Sequence, residues 1–205
     1  MIHAFVPELR QGLQQAVLVL KEGGVVAFPT ETYYGLAVDP FNPQAVERLF
    51  RLKNRAAAKP IALLVDRQAR LSALAAEIPC LFQPLIDRFW PGPLTLIFPA
   101  HPNLPPILTA GSETIGVRIS SHPLALALSS LAGGAITATS ANHSERRPAV
   151  SEEEVVCQFG TGLDCLVRGG MTQGGAPSTI VSLDHGRLRL IREGAIPFSR
   201  VLDDE

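Results

Sequence analysis

Cysteine is scarce in this chain of 205 residues, which has only Cys80, Cys157 and Cys165. The number is odd, the spacing is wide and no CxxC pair occurs, so the sequence predicts neither a disulfide scaffold nor a zinc site. The five histidines are scattered and lack zinc-ligand spacing. We therefore expect buried structural thiols and no metal held by protein side chains.

Long hydrophobic runs are absent too, since none approaches the roughly 18 residues of a membrane-spanning helix. The first ten residues have no basic stretch leading into an apolar segment, so no secretory signal is predicted. We expect a cytoplasmic protein without membrane contact. Because 18 basic and 19 acidic residues leave a net charge of −1, the chain is no polycation, and an anionic ligand would need a local site.

Three familiar motifs are missing as well. The chain has no GxxxxGK[ST] loop, no GxGxxG after a strand and no GxSxG elbow. A P-loop, a dinucleotide-binding fold and a hydrolase with a nucleophile elbow are therefore excluded.

What the chain does have is a regular alternation of helical patterns and short apolar runs, with 46% hydrophobic residues. No break in composition interrupts it, so we predict a single α/β domain. Strands are expected over 25–28, 36–38, 61–65, 94–98, 115–119, 135–139, 164–167, 179–183 and 187–191. Helices are expected over about 9–20, 42–50, 67–77, 80–89, 123–132 and 151–159.

The first candidate site is the loop Pro29-Thr30-Glu31-Thr32-Tyr33-Tyr34-Gly35, directly after a predicted buried strand. Ligands of open α/β sheets gather beyond the carboxyl ends of strands, and threonine hydroxyls both donate and accept hydrogen bonds. A polar turn that satisfies its own hydrogen bonds is an equally good interpretation.

A second candidate is the basic segment from Arg48 to Lys59, which also contains Arg51, Lys53 and Arg55 and no acidic residue. Arginine and lysine in this density suit a polyphosphate. Cations at a helix C-terminus are also stabilised by the helix dipole, so charge alone favours a solvated surface.

Further candidates follow other predicted strands. The turn Thr139-Ser140-Ala141-Asn142 offers hydroxyls, an amide and backbone N–H groups for an anion, although taken alone the segment favours an ordinary Ser/Asn turn. Arg118 lies inside an apolar strand and needs a partner, either a buried carboxylate of the protein or a bound anion. The remaining candidates are Ser178 and Arg192. The chain thus has many donors suited to phosphate but no evident nucleophile and no set of metal ligands. This combination fits phosphoryl or nucleotidyl transfer.

Four segments together resemble a known family. They are Gly24-Val25-Val26-Ala27-Phe28-Pro29-Thr30-Glu31-Thr32, Lys53-Asn54-Arg55, Trp90-Pro91-Gly92-Pro93-Leu94-Thr95 and Ser140-Ala141-Asn142. In this order they are similar to the YrdC-like threonylcarbamoyl-AMP synthases of the TsaC type, over about residues 10–198. The resemblance implies one domain, a twisted mixed sheet flanked by helices around a large, positively lined concave cavity. It also implies that the C-terminal domain of longer members is absent.

The activity that the resemblance implies is the condensation of L-threonine, bicarbonate and ATP to L-threonylcarbamoyl-AMP and pyrophosphate, with Mg²⁺ accompanying ATP. Partner proteins would then use the product to modify the adenosine beside the tRNA anticodon, and contact with tRNA or double-stranded RNA is implied too. The residues that would bind threonine are Thr30, Arg118, Thr139 and Ser178. The residues that would bind ATP and its phosphates are Lys53, Arg55, Lys59, Ser140, Asn142, Arg147 and Arg192, with Lys53 and Arg55 catalytic.

Two other functions are compatible with such a fold. One is a non-enzymatic RNA-binding paralogue, which would lack the KxR and SxN residues that are present here. The other is a carbamoyl-transfer domain that makes an adenylate from carbamoyl phosphate, normally beside zinc-finger-like and acylphosphatase-like domains. Tyr33, Ala37 and Leu64 depart from the family's usual valine, glycine and histidine, which bears on amino-acid specificity.

Overall fold

The computed structural model describes residues 5–54, 60–144 and 146–202. The helices are α1 (Pro7–Lys21), α2 (Pro43–Lys53), α3 (Leu71–Leu74), α4 (Phe82–Phe89), α5 (Pro106–Thr109), α6 (Pro123–Leu131), α7 (Glu152–Phe159) and α8 (Phe198–Leu202). The strands are β1 (Val26–Phe28), β2 (Gly35–Ala37), β3 (Ala62–Val65), β4 (Leu94–Pro99), β5 (Thr114–Arg118), β6 (Ala135–Ser140), β7 (Cys165–Leu166), β8 (Thr179–Asp184) and β9 (Arg187–Arg192).

The strands form one mixed sheet in the order β7-β1-β2-β6-β3-β5-β4-β8-β9. Pairing is parallel between β7 and β1, β3 and β5, and β4 and β8, and antiparallel elsewhere. The predicted α/β class and mixed sheet are confirmed. The helix predicted over 67–77 is wrong, because a 3₁₀ turn at Gln68–Arg70 and the four-residue α3 replace it. The short helices α5 and α8 were not predicted, since a single turn leaves little apolar periodicity.

Local sequence accounts for the ends of several helices. The Asn42 side chain accepts a hydrogen bond from the Ala45 N–H at 3.1 Å, with proline as the first residue of α2. After α1, the N–H groups of Gly23 and Gly24 donate to the carbonyls of Leu20 and Val19. This C-terminal motif needs the positive φ of Gly23, which is 79°. The chain thereby turns directly into β1.

Side chains alternate between the two faces of the sheet. On one face, Phe28 and Leu64 pack with α1 and α6 in one cluster. On the other face, Ala27 and Leu63 belong to the larger cluster that includes Leu49 of α2. This period of two is what the apolar strands predict. Among the helices of the described part of the chain, none combines the length and apolar character that a bilayer-spanning segment requires.

The expectation of buried thiols is wrong for two of the three cysteines. Cys80 lies exposed in the turn before α4, and Cys157 is exposed on α7, whose buried side carries Val155 and Phe159. Cys165 at the sheet edge is half-buried, and burial together with the nearby Asp164 charge raises the pKa of its thiol. The composition therefore predicted three buried cysteines, whereas the structure exposes Cys80 and Cys157 and buries Cys165 only in part.

Candidate active site

A cavity of about 420 Å³ opens beside the central strands of the sheet. Its walls are the loop after β1, the end of β6, the start of β8, and parts of β3, β4, β5 and β9. The residues that line it are Phe28, Thr30, Thr32, Tyr33, Tyr34, Gly35, Pro60, Ile61, Ala62, Leu63, Thr95, Arg118, Ala138, Thr139, Ser140, Pro148, Pro177, Ser178, Ile180 and Arg192. Several separate candidate segments therefore share one concave site.

The loop after β1 satisfies its own hydrogen bonds and also forms part of the cavity wall. The Thr30 hydroxyl donates to the Tyr33 carbonyl at 2.6 Å and accepts from the Thr32 N–H at 3.2 Å. The two threonine hydroxyls are 3.1 Å apart, and both side chains are buried. The loop is therefore both a self-bonded turn and part of the candidate site, because its internal hydrogen bonds fix the two hydroxyls at the cavity wall.

A glycine-rich segment, residues 169–175, supports this loop from outside the cavity. The Tyr34 hydroxyl donates to the Gly170 carbonyl at 2.7 Å, and the Gly174 N–H donates to the Thr32 carbonyl at 2.7 Å. Burial, aided by the charge of Glu152, raises the pKa of Tyr34 to about 12. The phenol therefore remains a hydrogen-bond donor at neutral pH.

The strand arginine Arg118 has a protein partner. Its Nη1 donates to Glu31 Oε1 at 2.7 Å, and both side chains are about nine-tenths buried. The Ser120 hydroxyl donates to the other oxygen of Glu31. Burial lowers the pKa of Arg118, and the Glu31 charge partly opposes that shift. Sequence reasoning missed the role of Glu31, since its partner lies 87 residues away.

Arg192 lies at the same end of the cavity, held by Ser178. Its Nε and Nη2 donate to the Ser178 carbonyl at 3.2 and 2.8 Å, and Nη2 also reaches the Ser178 hydroxyl at 3.1 Å. That hydroxyl is 3.0 Å from the Thr95 hydroxyl, which sequence reasoning also missed. Burial, followed by the positive charge of Arg118, lowers the pKa of Arg192. The two arginines are thus close enough to influence each other.

The SxN turn (Ser140–Asn142) closes another side of the cavity. The Ser140 hydroxyl donates to Asn142 Oδ1 at 2.5 Å, and the Asn142 amide donates to the carbonyls of His143 and Arg146 at 2.9 and 2.8 Å. The Lys53 ammonium donates to the Ser140 carbonyl and, at 2.6 Å, to the Asn142 carbonyl. Lys53 is only 3% exposed, so its charge lies directly behind the turn.

Gln158 of α7 holds the segment that follows the turn. Its side-chain oxygen accepts from the His143 N–H at 3.2 Å, and its amide donates to the Arg147 carbonyl at 3.0 Å. The His143 Nε2 lies 2.8 Å from the Gln158 carbonyl, and the His143 ring packs on Phe159. The sequence carries no motif for this contact, which depends on how α7 docks.

The structure thus brings most of the predicted site residues together. Those that line the cavity are Thr30, Arg118, Thr139, Ser140, Ser178 and Arg192. Lys53 and Asn142 are bonded to Ser140 from behind. The Arg147 side chain is exposed beside the cavity residue Pro148, while Arg55 and Lys59 lie outside the described residues.

The three departures from the family pattern are placed differently. Tyr33 lines the cavity. Ala37 and Leu64 are buried in the cluster with α1 and α6, on the opposite face from the cavity residue Leu63. Tyr33 is therefore the departure that can touch a ligand in this conformation.

Comparison with known sequences agrees with this arrangement. The family model Sua5_yciO_yrdC, described as "Telomere recombination", matches residues 18–194. The chain belongs to this family. Its member from Halorhodospira halophila, named threonylcarbamoyl-AMP synthase, is 43% identical over 157 residues, which are 77% of this chain and 82% of that protein.

Longer members of the family are similar too. The threonylcarbamoyl-AMP synthase of Pyrococcus abyssi is 38% identical over 182 residues, covering 89% of this chain and 54% of the relative. The crystal structure of P. abyssi Sua5 complexed with L-threonine matches with a TM-score of 0.91 and 36% identity, covering 97% of this chain and 59% of that one. This chain therefore spans little more than half the length of those relatives.

Proposed function

We propose that this protein is a threonylcarbamoyl-AMP synthase. The observation that carries the proposal is the shared cavity, in which the loop after β1, the SxN turn and two arginines surround one space. A family member solved with L-threonine has the same fold, which supports an amino-acid site here. The activity is an adenylyl transfer, so the enzyme belongs among the nucleotidyltransferases.

We assign the two substrates to different sides of the cavity. Threonine contacts Thr30, Arg118, Thr139 and Ser178, where one guanidinium and several hydroxyls match a carboxylate and a small polar side chain. ATP lies along the SxN turn. The residues proposed to bind it are Lys53, Arg55, Lys59, Ser140, Asn142, Arg147 and Arg192, of which Arg192 is bonded to Ser178 and so borders both substrates.

The chemistry requires positioning more than a protein nucleophile. Bicarbonate takes up a proton and loses water to give carbon dioxide. The threonine nitrogen, as the neutral amine, attacks that carbon and loses a proton, leaving a carbamate. A carbamate oxygen then attacks the α-phosphorus of ATP, and the bond from that phosphorus to the β-phosphate bridging oxygen breaks to release pyrophosphate. Lys53 and Arg55 stabilise the charge on the phosphates. Holding the carbamate against ATP away from water protects this short-lived species.

Magnesium enters the proposal as the ion carried by ATP. Among the described residues, no three His, Cys, Asp or Glu side chains cluster closely enough to hold a metal ion. The carboxylate beside Arg118, Glu31, is already bonded to Arg118 and Ser120. These residues fit a triphosphate-bound ion, which would offset phosphate charge, rather than a resident metal.

The adenylate is an activated acyl donor, so the proposal includes proteins that transfer its threonylcarbamoyl group to tRNA and release AMP. Direct contact with tRNA or double-stranded RNA is part of the same proposal, and salt-dependent RNA binding would measure it. RNA binding without any consumption of ATP would favour the RNA-binding paralogue instead. The hydrogen bonds from Lys53 to the SxN turn favour the enzyme, because they build a phosphate-facing turn from the family's signature residues.

Pyrophosphate release from ATP tests this function. We expect release that depends on both threonine and bicarbonate, and little release when carbamoyl phosphate replaces them. Release that depends on carbamoyl phosphate instead would identify the carbamoyl-transfer activity and contradict the proposal.

Replacing Gln158 by alanine is expected to slow this release about tenfold or more, because a small displacement of the SxN turn misplaces the phosphates. Gln158→Glu keeps the acceptor for the His143 N–H but places a carboxylate oxygen against the Arg147 carbonyl, so we expect only partial recovery. Cys157→Ala, at an exposed position on the same helix, is the matched control. Full activity in Gln158→Ala would remove the positioning role.

A further inference from the structure

The end of the cavity that Arg118 and Arg192 line has a net charge that can be counted from its side chains. Two guanidinium groups line it, the buried Arg118 and the more exposed Arg192, and Glu31 is hydrogen-bonded directly to the first of them. Burial lowers the pKa of the neighbouring His122, so its ring adds no charge at neutral pH. Among the described residues at this end, two positive charges and one negative charge leave one net positive charge.

This balance decides which anions the end of the cavity accepts. A singly charged carboxylate neutralises the remaining charge, whereas a dianion gains from both arginines but is repelled by the carboxylate of Glu31. Charges act on one another over several ångströms, so that repulsion scales with the ligand's own charge. Sequence patterns do not reveal the balance, because Glu31 and Arg118 come from distant segments.

We propose that Glu31 is a specificity-determining residue that sets this end of the cavity to one net positive charge, so that it takes a carboxylate in preference to a doubly charged oxyanion. Arg192 borders both substrates, but a site that holds a triphosphate beside an amino acid must keep phosphate groups off Arg118, the arginine bonded to Glu31. Glu31 does this while it orients Arg118, with Ser120 holding its second oxygen. That the carboxylate belongs to an amino acid rests on the proposed function.

Calorimetric titration with sulfate and with acetate, without ATP or threonine, tests the inference. Sulfate is a dianion at every pH of interest, and acetate carries one charge. In Glu31→Gln we expect sulfate to bind at least about tenfold more tightly than in the wild type, and acetate to gain much less. Glu77→Gln, which removes an exposed carboxylate and changes the net charge equally, should leave both affinities unchanged.

A sulfate affinity in Glu31→Gln within twofold of the wild type, or a gain equal to that of acetate, would overturn the inference. If Glu31→Gln fails to fold, the double variant Glu31→Gln/Arg118→Gln restores one net charge and should bind sulfate within about threefold of the wild type. A change of more than tenfold in the double variant would equally overturn it. Because no substrate is present, this outcome is independent of whether the synthase assay succeeds.

Discussion

Replacing Lys53 by alanine is expected to lower threonine-dependent pyrophosphate release by about 100-fold or more. The ammonium holds the carbonyls of Ser140 and Asn142 behind the SxN turn. Its removal takes this donor from both carbonyls, although the Ser140 carbonyl still accepts from the Asn142 N–H. The same charge lies directly behind the turn along which the triphosphate is proposed to lie. The variant therefore loses both the placement of the turn and positive charge near the phosphates. Initial rates at saturating threonine and ATP measure the effect.

The matched control is Lys21→Ala, which removes an exposed lysine from the last turn of α1. It should keep the wild-type rate, since a surface charge there has no part in the cavity. Circular dichroism would establish that Lys53→Ala remains folded. A folded Lys53→Ala protein with a rate within threefold of the wild type would contradict both functions that we assign to this lysine.

The second large effect is expected from Gly194→Ala. A Cβ at this position would lie 2.2 Å from the Pro177 carbonyl oxygen and 2.7 Å from the Thr179 nitrogen, both of which are backbone atoms. The segment after β9 must then move away from the start of β8. Two residues of this segment are hydrogen-bonded there, Ala195 to Pro177 and Ile196 to Thr179. Overpacking of this kind costs about 1–3 kcal/mol, and thermal unfolding would measure it.

Catalysis should suffer in Gly194→Ala as well, because the same movement separates Arg192 from Ser178. Gly12→Ala on α1 is the control, since no described atom beyond the adjacent residues and the helix backbone lies within 4 Å of a Cβ there. An alanine at this helical position should stabilise the protein by about 0.5–1 kcal/mol. If both alanines changed the unfolding temperature alike, the close approach at Gly194 would not constrain the fold.

The sequence predicted the parts of the site that are local. The loop containing Thr30 follows a short, β-branched strand, and the SxN turn follows another, so apolar runs and turn residues were sufficient to find both. The N-caps Asn42 and Ser151 also obeyed local rules, each accepting a hydrogen bond from the third residue beyond it.

What the sequence could not predict depends on the order of the strands. β3 lies between β6 and β5, and β5 carries Arg118 to the loop after β1, where it meets Glu31. Hydrophobic periodicity specifies the faces of a strand but not its neighbours. The inward direction of Lys53 was hidden for the same reason, because a basic segment has the same composition whether its side chains meet solvent or a backbone carbonyl.

The most direct test of the account is mass spectrometry of the reaction product, with threonine, serine and glycine offered together with ATP and ¹³C-labelled bicarbonate. We predict an adenylate that contains threonine and one labelled carbon, in clear excess over the serine and glycine products. The absence of any labelled adenylate, with the protein folded and ATP present, would contradict the claim that this cavity joins an amino acid to a nucleotide.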